Sequence, residues 1–120
     1  DDVVTARNQY GADMVSLWIH GYGASGGTVG LAYQLQTPND TWFASYAFSV
    51  LEQAWAAGPG FAFAHELGHN MGAAHDRNNA DPGDGAYSYA FGYQHTGSNP
   101  FSTIMAYPCQ GVYCPGINYW

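Results

Sequence analysis

The chain has 120 residues, with nine acids against two arginines and no lysine, for a formal net charge of −7. So few cations exclude nucleic-acid binding and docking on an anionic membrane surface, both of which need several Lys or Arg. A hydrophobic fraction of 47% with only 9% charged residues excludes intrinsic disorder, which needs the reverse balance, and the length fits one domain, 1–120.

In chain order, Val3 to Tyr10 reads as a short helix or helix end: Val3, Val4, Arg7 and Tyr10 fall at helical spacing and Gly11 is a stop. Ala12 to Ile19 is a nearly continuous apolar run carrying Met14, Val15, Leu17, Trp18 and Ile19, which predicts a strand buried on both faces. Gly21 to Gly27 is a glycine-rich loop without a lysine or a G-K-[ST] ending, so it is no phosphate cradle. Thr28 to Gln36 alternates through Val29, Leu31, Tyr33 and Leu35 and predicts a second strand, a candidate sheet edge. Pro38-Asn39-Asp40 is a turn, and Trp42 to Leu51 is aromatic and β-branched enough for a third strand. Gly58-Pro59-Gly60 breaks the chain before a helix from about Phe61 to Met71, which Gly72 ends. The stretch 73–120 is rich in Gly, Pro, Asn, Asp and Tyr and predicts irregular structure, with one more short helix near Thr103 to Tyr107. No apolar run approaches the roughly 18 residues of a membrane span. The opening Asp1-Asp2 is unlike a signal peptide and suits a mature or processed chain.

The segment His65-Glu66-Leu67-Gly68-His69-Asn70-Met71-Gly72-Ala73-Ala74-His75-Asp76 carries the chemistry. On a helix, His65 and His69 share a face and can point two imidazoles at one ion. Glu66 lies about 100° around the helix from His65, poorly placed to be a ligand but able to reach a metal-bound water. Gly72 supplies the positive φ of a sharp helix exit, which brings His75 back toward the same ion. Three neutral imidazoles with one open position describe a catalytic zinc site rather than a structural one, with Glu66 as general base toward zinc-bound water. Three of the five histidines lie in this string; His20 and His95 read as ordinary polar residues. Cys109 and Cys114 favour a small local disulfide over a zinc pair, because C-x4-C without a second pair is poor metal spacing, and a disulfide places the chain outside the reducing cytosol. Asp81-Pro82-Gly83-Asp84-Gly85 lacks the calcium-loop pattern, so a solvated turn is preferred there to a Ca2+ site.

The extended H-E-x-x-H-x-x-G-x-x-H string resembles the metzincin zinc signature, and Asp76 after the third His is similar to the adamalysin or reprolysin-like branch. Ser102-Thr103-Ile104-Met105-Ala106-Tyr107 resembles the metzincin Met-turn, which implies that Met105 forms an apolar floor beneath zinc. Ala12-Asp13-Met14-Val15-Ser16-Leu17 and Ala47-Phe48-Ser49-Val50 resemble strands of bacterial members, and the chain looks most like secreted bacterial peptidyl-Asp metalloendopeptidases. The resemblance implies an α+β, metzincin-like fold: a small mixed sheet and active-site helix over 1–72, and an irregular part over 73–120. It also implies a secreted zinc endopeptidase, one Zn2+ per chain held by His65, His69 and His75, acting on protein or peptide substrates. In the related astacins and serralysins a Tyr at the offset of Tyr107 approaches zinc or stabilises the tetrahedral intermediate, so Tyr107 is a candidate oxyanion donor. The segment Val29 to Leu35 would align an extended substrate through backbone hydrogen bonds.

Against the family pattern the chain is short at both ends, which suggests a fragment, a minimal natural variant or one piece of a nicked enzyme. The expected consequence is an exposed apolar sheet face beside Met14, Leu17 and Trp18, or a missing N-terminal segment or second chain packed there. Inactivity, with zinc held only as a structural staple, is the alternative reading. Cleavage beside an acidic residue would need a cationic wall, yet the chain offers only Arg7 and Arg77, and Gly116 follows Cys114-Pro115 where relatives often carry a basic residue.

Overall fold

A computed structural model describes residues 2–21, 27–58 and 60–120, so most of the glycine-rich loop lies outside the described residues, as does Pro59. Helix α1 (Asp2–Tyr10) ends as its sequence demands, with Gly11 at φ +63° and the Ala12 amide donating to the Arg7 carbonyl at 3.0 Å. Three strands follow, β1 (Val15–Ile19), β2 (Gly30–Ala32) and β3 (Phe48–Glu52), in the spatial order β1-β3-β2. Strand β1 runs parallel to β3 and β2 antiparallel to it. Together with helix α2 (Ala62–Asn70) they form an α+β arrangement.

The register fixes which side chains share a face. Val15 pairs with Phe48, Leu17 with Val50, and Leu31 with Val50, so these five apolar residues lie on one side. Ser49 and Leu51 lie on the other, under α2, and both are buried. Trp18 belongs to this second side and meets Phe63 of α2 edge-on, with ring centroids 5.3 Å apart. Helix α1 reaches part of the first side, where the Arg7 guanidinium stands over the Phe48 ring at 5.7 Å and donates to the Ala44 carbonyl.

Three expectations change here. The Ala12 to Ile19 strand is an edge strand and not buried on both faces: Leu17 is 61% exposed, and β1 has one ladder neighbour among the described residues. An exposed apolar face does exist, but it pairs Leu17 with Leu31 and Val50; Trp18 points the opposite way, because adjacent residues alternate across a strand. The predicted third strand is cut in half, since Thr41–Ser45 forms a 3-10 turn and pairing starts only at Phe48.

After α2 the chain has two short paired segments, β4 (Gln94–His95) and β5 (Phe101–Ser102), within otherwise irregular backbone. No helix forms at Thr103 to Tyr107. That stretch is a turn, closed by the Ala106 amide on the Thr103 carbonyl at 2.9 Å, because neighbouring backbone captures its polar groups: Thr103 N donates to Tyr93 O and Ile104 N to Tyr119 O. The Cys109–Cys114 disulfide is formed, with Cα atoms 5.7 Å apart.

Candidate metal centre

Helix α2 presents His65 and His69 one turn apart. Its position is set by its last residue: buried Asn70 donates to the carbonyls of Tyr33 (2.7 Å) and Phe48 (3.2 Å), and the Leu35 amide donates to His69 O at 3.0 Å. The exit is built by Gly72, whose φ of +93° only glycine takes freely, and a Cβ there would run into Ala86. The Gly72 amide donates to His69 O (2.9 Å) and the Ala73 amide to Gly68 O (2.8 Å), so the helix carbonyls are satisfied as the chain reverses. Ala74 is then held between Ala90 and Gly92 by two backbone hydrogen bonds, which delivers His75 to the helix face.

His65, His69 and His75 converge, with their candidate ligand atoms all within 4.8 Å of one another. The Nε2 atom of His75 lies 3.2 Å from that of His65 and 3.2 Å from that of His69. The second ring nitrogens are committed as donors, His65 Nδ1–H to the Ile104 carbonyl (2.8 Å) and His69 Nδ1–H to the Ala73 carbonyl (2.9 Å). Neutral imidazoles held this way turn unprotonated Nε2 lone pairs toward one point. Burial lowers the pKa of all three, and His69, which also feels His65, is brought down to about 4. Clustered lone pairs repel unless a cation sits among them, and tetrahedral zinc with nitrogens at about 2.0–2.1 Å sets its ligands roughly 3.3 Å apart. The donor set therefore fits zinc.

Glu66 is buried beside this cluster, and burial pushes its carboxyl up to about 7. It packs against Gly30 of β2: a Cβ at that glycine would lie 2.7 Å from Glu66 Cδ and closer still to Oε1. Nothing in the sequence marks this pairing, because the two residues are far apart in the chain. Met105 is 1% exposed and lies under α2, where a Cβ on Gly68 would meet its sulfur and the Trp120 ring.

Asp76, read from the sequence only as a family marker, is 2% exposed and organises the far wall. Its carboxylate accepts from the Asn78 amide (3.2 Å), from Asn79 Nδ2 (2.9 Å to each oxygen) and from the Tyr107 amide (3.0 Å). It thus ties the residue after the third histidine to the segment after Met105. The Tyr107 ring tilts over His75 with centroids 4.3 Å apart.

The remaining polar candidates lie elsewhere. His20 faces Glu52 at 3.9 Å, and His95 Nε2 meets the Ser98 carbonyl at 3.1 Å. Asp84 accepts from the Asp81 amide at 2.9 Å in a tight turn, and among the described residues the histidine cluster is the one group of three or more His, Cys, Asp or Glu side chains drawn together like a metal site.

A cleft of about 890 Å3 opens over the histidines and Glu66. One rim is 27–32, including β2, which among the described residues is an edge strand of its sheet; the other is drawn from 102–116 around the disulfide. Helix-borne histidines one turn apart, a third from the loop after a glycine exit, and a buried glutamate lining an open cleft form a candidate metal centre of the kind metallopeptidases carry. Comparison with known proteins agrees: residues 2–120 match the reprolysin-type model of metallo-peptidase family M12, and the chain belongs to that family. It is 35% identical over its whole length to a peptidyl-Asp metalloendopeptidase of Xanthomonas campestris pv. campestris, covering 25% of that protein. It is 34% identical over its whole length to one of Stenotrophomonas maltophilia, covering 26%. A Pseudomonas aeruginosa protein of the same name is 35% identical over 85% of the chain, which covers 19% of it. The chain thus spans about a fifth to a quarter of the length of these relatives. No solved structure gives a significant match.

Proposed function

We propose that this chain is the catalytic part of a secreted zinc endopeptidase that hydrolyses extended protein substrates. The observation that carries the reading is the convergence of three neutral imidazoles on one point, with a buried carboxylate beside them at the floor of an open cleft. His65, His69 and His75 would hold one zinc ion, which when bound polarises a peptide carbonyl and makes a water acidic enough to attack it.

The chain's own groups do the rest. Glu66 takes the proton of the attacking water and delivers it to the departing amine nitrogen, and its burial, which favours the protonated carboxyl, supports its use as a proton carrier. The open edge of β2 aligns the substrate as an added strand, which holds the scissile bond above Glu66. Tyr107 would donate to the developing oxyanion, a role supported by its position beside His75 in the cleft lining. Met105 serves as the apolar floor beneath the histidines. The disulfide supports a location outside the reducing cytosol.

The test is Glu66→Gln. The amide keeps the shape of the carboxylate but takes no proton, so the variant retains zinc at the wild-type stoichiometry while peptidase activity falls by about 10²–10⁴-fold or more. Activity within a few-fold of wild type contradicts the role of Glu66, and a protein that holds zinc and cleaves nothing in wild-type form is a structural zinc module.

A further inference from the structure

The two histidines of α2 are not held by the helix alone. His65 Nδ1–H donates to the Ile104 carbonyl at 2.8 Å, so the place of Ile104 sets the orientation of that ring. Ile104 is itself held, because its amide donates to the Tyr119 carbonyl at 2.8 Å. Tyr119 belongs to a segment laced along β5: the Ser102 amide donates to Pro115 O at 3.1 Å and the Ile117 amide to Ser102 O at 2.8 Å. Two hydrogen bonds in series thus run from Tyr119 through Ile104 to His65.

Trp120 follows and meets α2 directly. Gly68 lies on the turn that links His65 to His69, and a Cβ there would lie 2.4 Å from Cζ3 of the Trp120 ring and 2.4 Å from the Met105 sulfur. Ring and thioether therefore share one notch, cut by the side chain that Gly68 lacks. Met105 is 1% exposed, whereas Trp120 is 55% exposed. The tryptophan buries only part of its surface, and that part lies against the turn carrying both histidines. Gly68, Met105, Tyr119 and Trp120 do not line the cleft, so they act on it only through the residues they hold.

We propose that Trp120 is a positioning residue of the metal centre: together with the Tyr119 carbonyl it braces α2 and Ile104 from outside the cleft and keeps His65 and His69 aimed at one ion. This rests on the reading of the three histidines as a zinc site and is independent of which peptides are cut. The test compares zinc affinity, by competition with a chelator of known strength, in the wild-type, Trp120→Ala and Trp120→Phe proteins. Unfolding midpoints of the zinc-free proteins and the visible absorption of the cobalt-substituted proteins are measured beside it. Losing an outer partner of a metal-bound histidine costs about 10–100-fold in metal affinity, and a loss of that size is expected in Trp120→Ala. Trp120→Phe, which keeps a ring in the notch, is expected to recover to within a few-fold of wild type. The tetrahedral cobalt band weakens in Trp120→Ala, while its zinc-free unfolding midpoint stays close to wild type. Zinc affinity of Trp120→Ala within about threefold of wild type overturns the inference. A loss of affinity matched by an equal loss of zinc-free stability also overturns it, since Trp120 would then serve the fold and not the centre. If Trp120→Ala does not fold, Trp120→Leu carries the same comparison. A wild-type protein that binds no zinc removes the zinc reading and this inference together; zinc bound equally by all variants removes only the role of Trp120.

Discussion

At the scale of single residues, the site depends on small groups that make room for reactive ones. Gly30 is the clearest case, because the Glu66 side chain occupies the space a Cβ would take. Gly30→Ala must therefore push the carboxylate aside or bend β2. A displacement of about 1 Å in a catalytic group can cost about 10²-fold in rate, so the variant is expected to lose about that much in kcat while zinc content stays at the wild-type level. An unchanged kcat would show that Glu66 is not held through Gly30. The histidine string was legible in the sequence because its ligands and Gly72 lie within one turn of helix and one tight reversal, where spacing alone dictates geometry. The seat of Glu66 was not, since it joins residues 30 and 66 across the sheet, and a glycine among 16 carries no mark of its purpose.

Among the elements, the connection between the third histidine and the turn at Met105 is made by Asp76. Its carboxylate is almost wholly buried and accepts two backbone amides and one side-chain amide. Hydrogen bonds to charged groups contribute about 1.5–3 kcal/mol each, and an abandoned buried donor adds its own cost. Asp76→Ala is expected to lower unfolding stability by about 2–3 kcal/mol and to weaken zinc binding by loosening His75; equilibrium denaturation with and without zinc reads both. A loss below about 0.5 kcal/mol would place Asp76 outside the structural framework. Helices α1 and α2 end at Gly11 and Gly72 as expected, because a glycine stop is a local signal, whereas Val3 and Tyr10 of α1 stay exposed and Arg7 is its buried residue. The turn at Thr103 to Tyr107 did not, because its backbone bonds to Tyr93, Tyr119 and Asp76. Strand β1 was misjudged for the same reason: an apolar run shows that a segment suits burial and not which neighbours will cover it.

The whole molecule divides its chemistry between two sides of one small sheet. The side under α2 carries Ser49, Leu51 and Trp18 and supports the histidines; the other leaves Leu17 and Leu31 largely open in an apolar groove of about 840 Å3. Both grooves are similar in volume, and chemistry separates them: three imidazoles and a carboxyl converge in one, whereas the lining of the other holds no titratable side chain except Tyr33. On the function proposed above, His65, His69 and His75 together hold one zinc with a position left open to the cleft. X-ray absorption at the zinc edge of the stoichiometrically loaded protein tests it most directly. Three imidazole nitrogens at about 2.0–2.1 Å with one light-atom ligand completing the sphere are expected. A sphere with sulfur, with fewer than three imidazoles, or with a fourth protein side chain closing the site would contradict it.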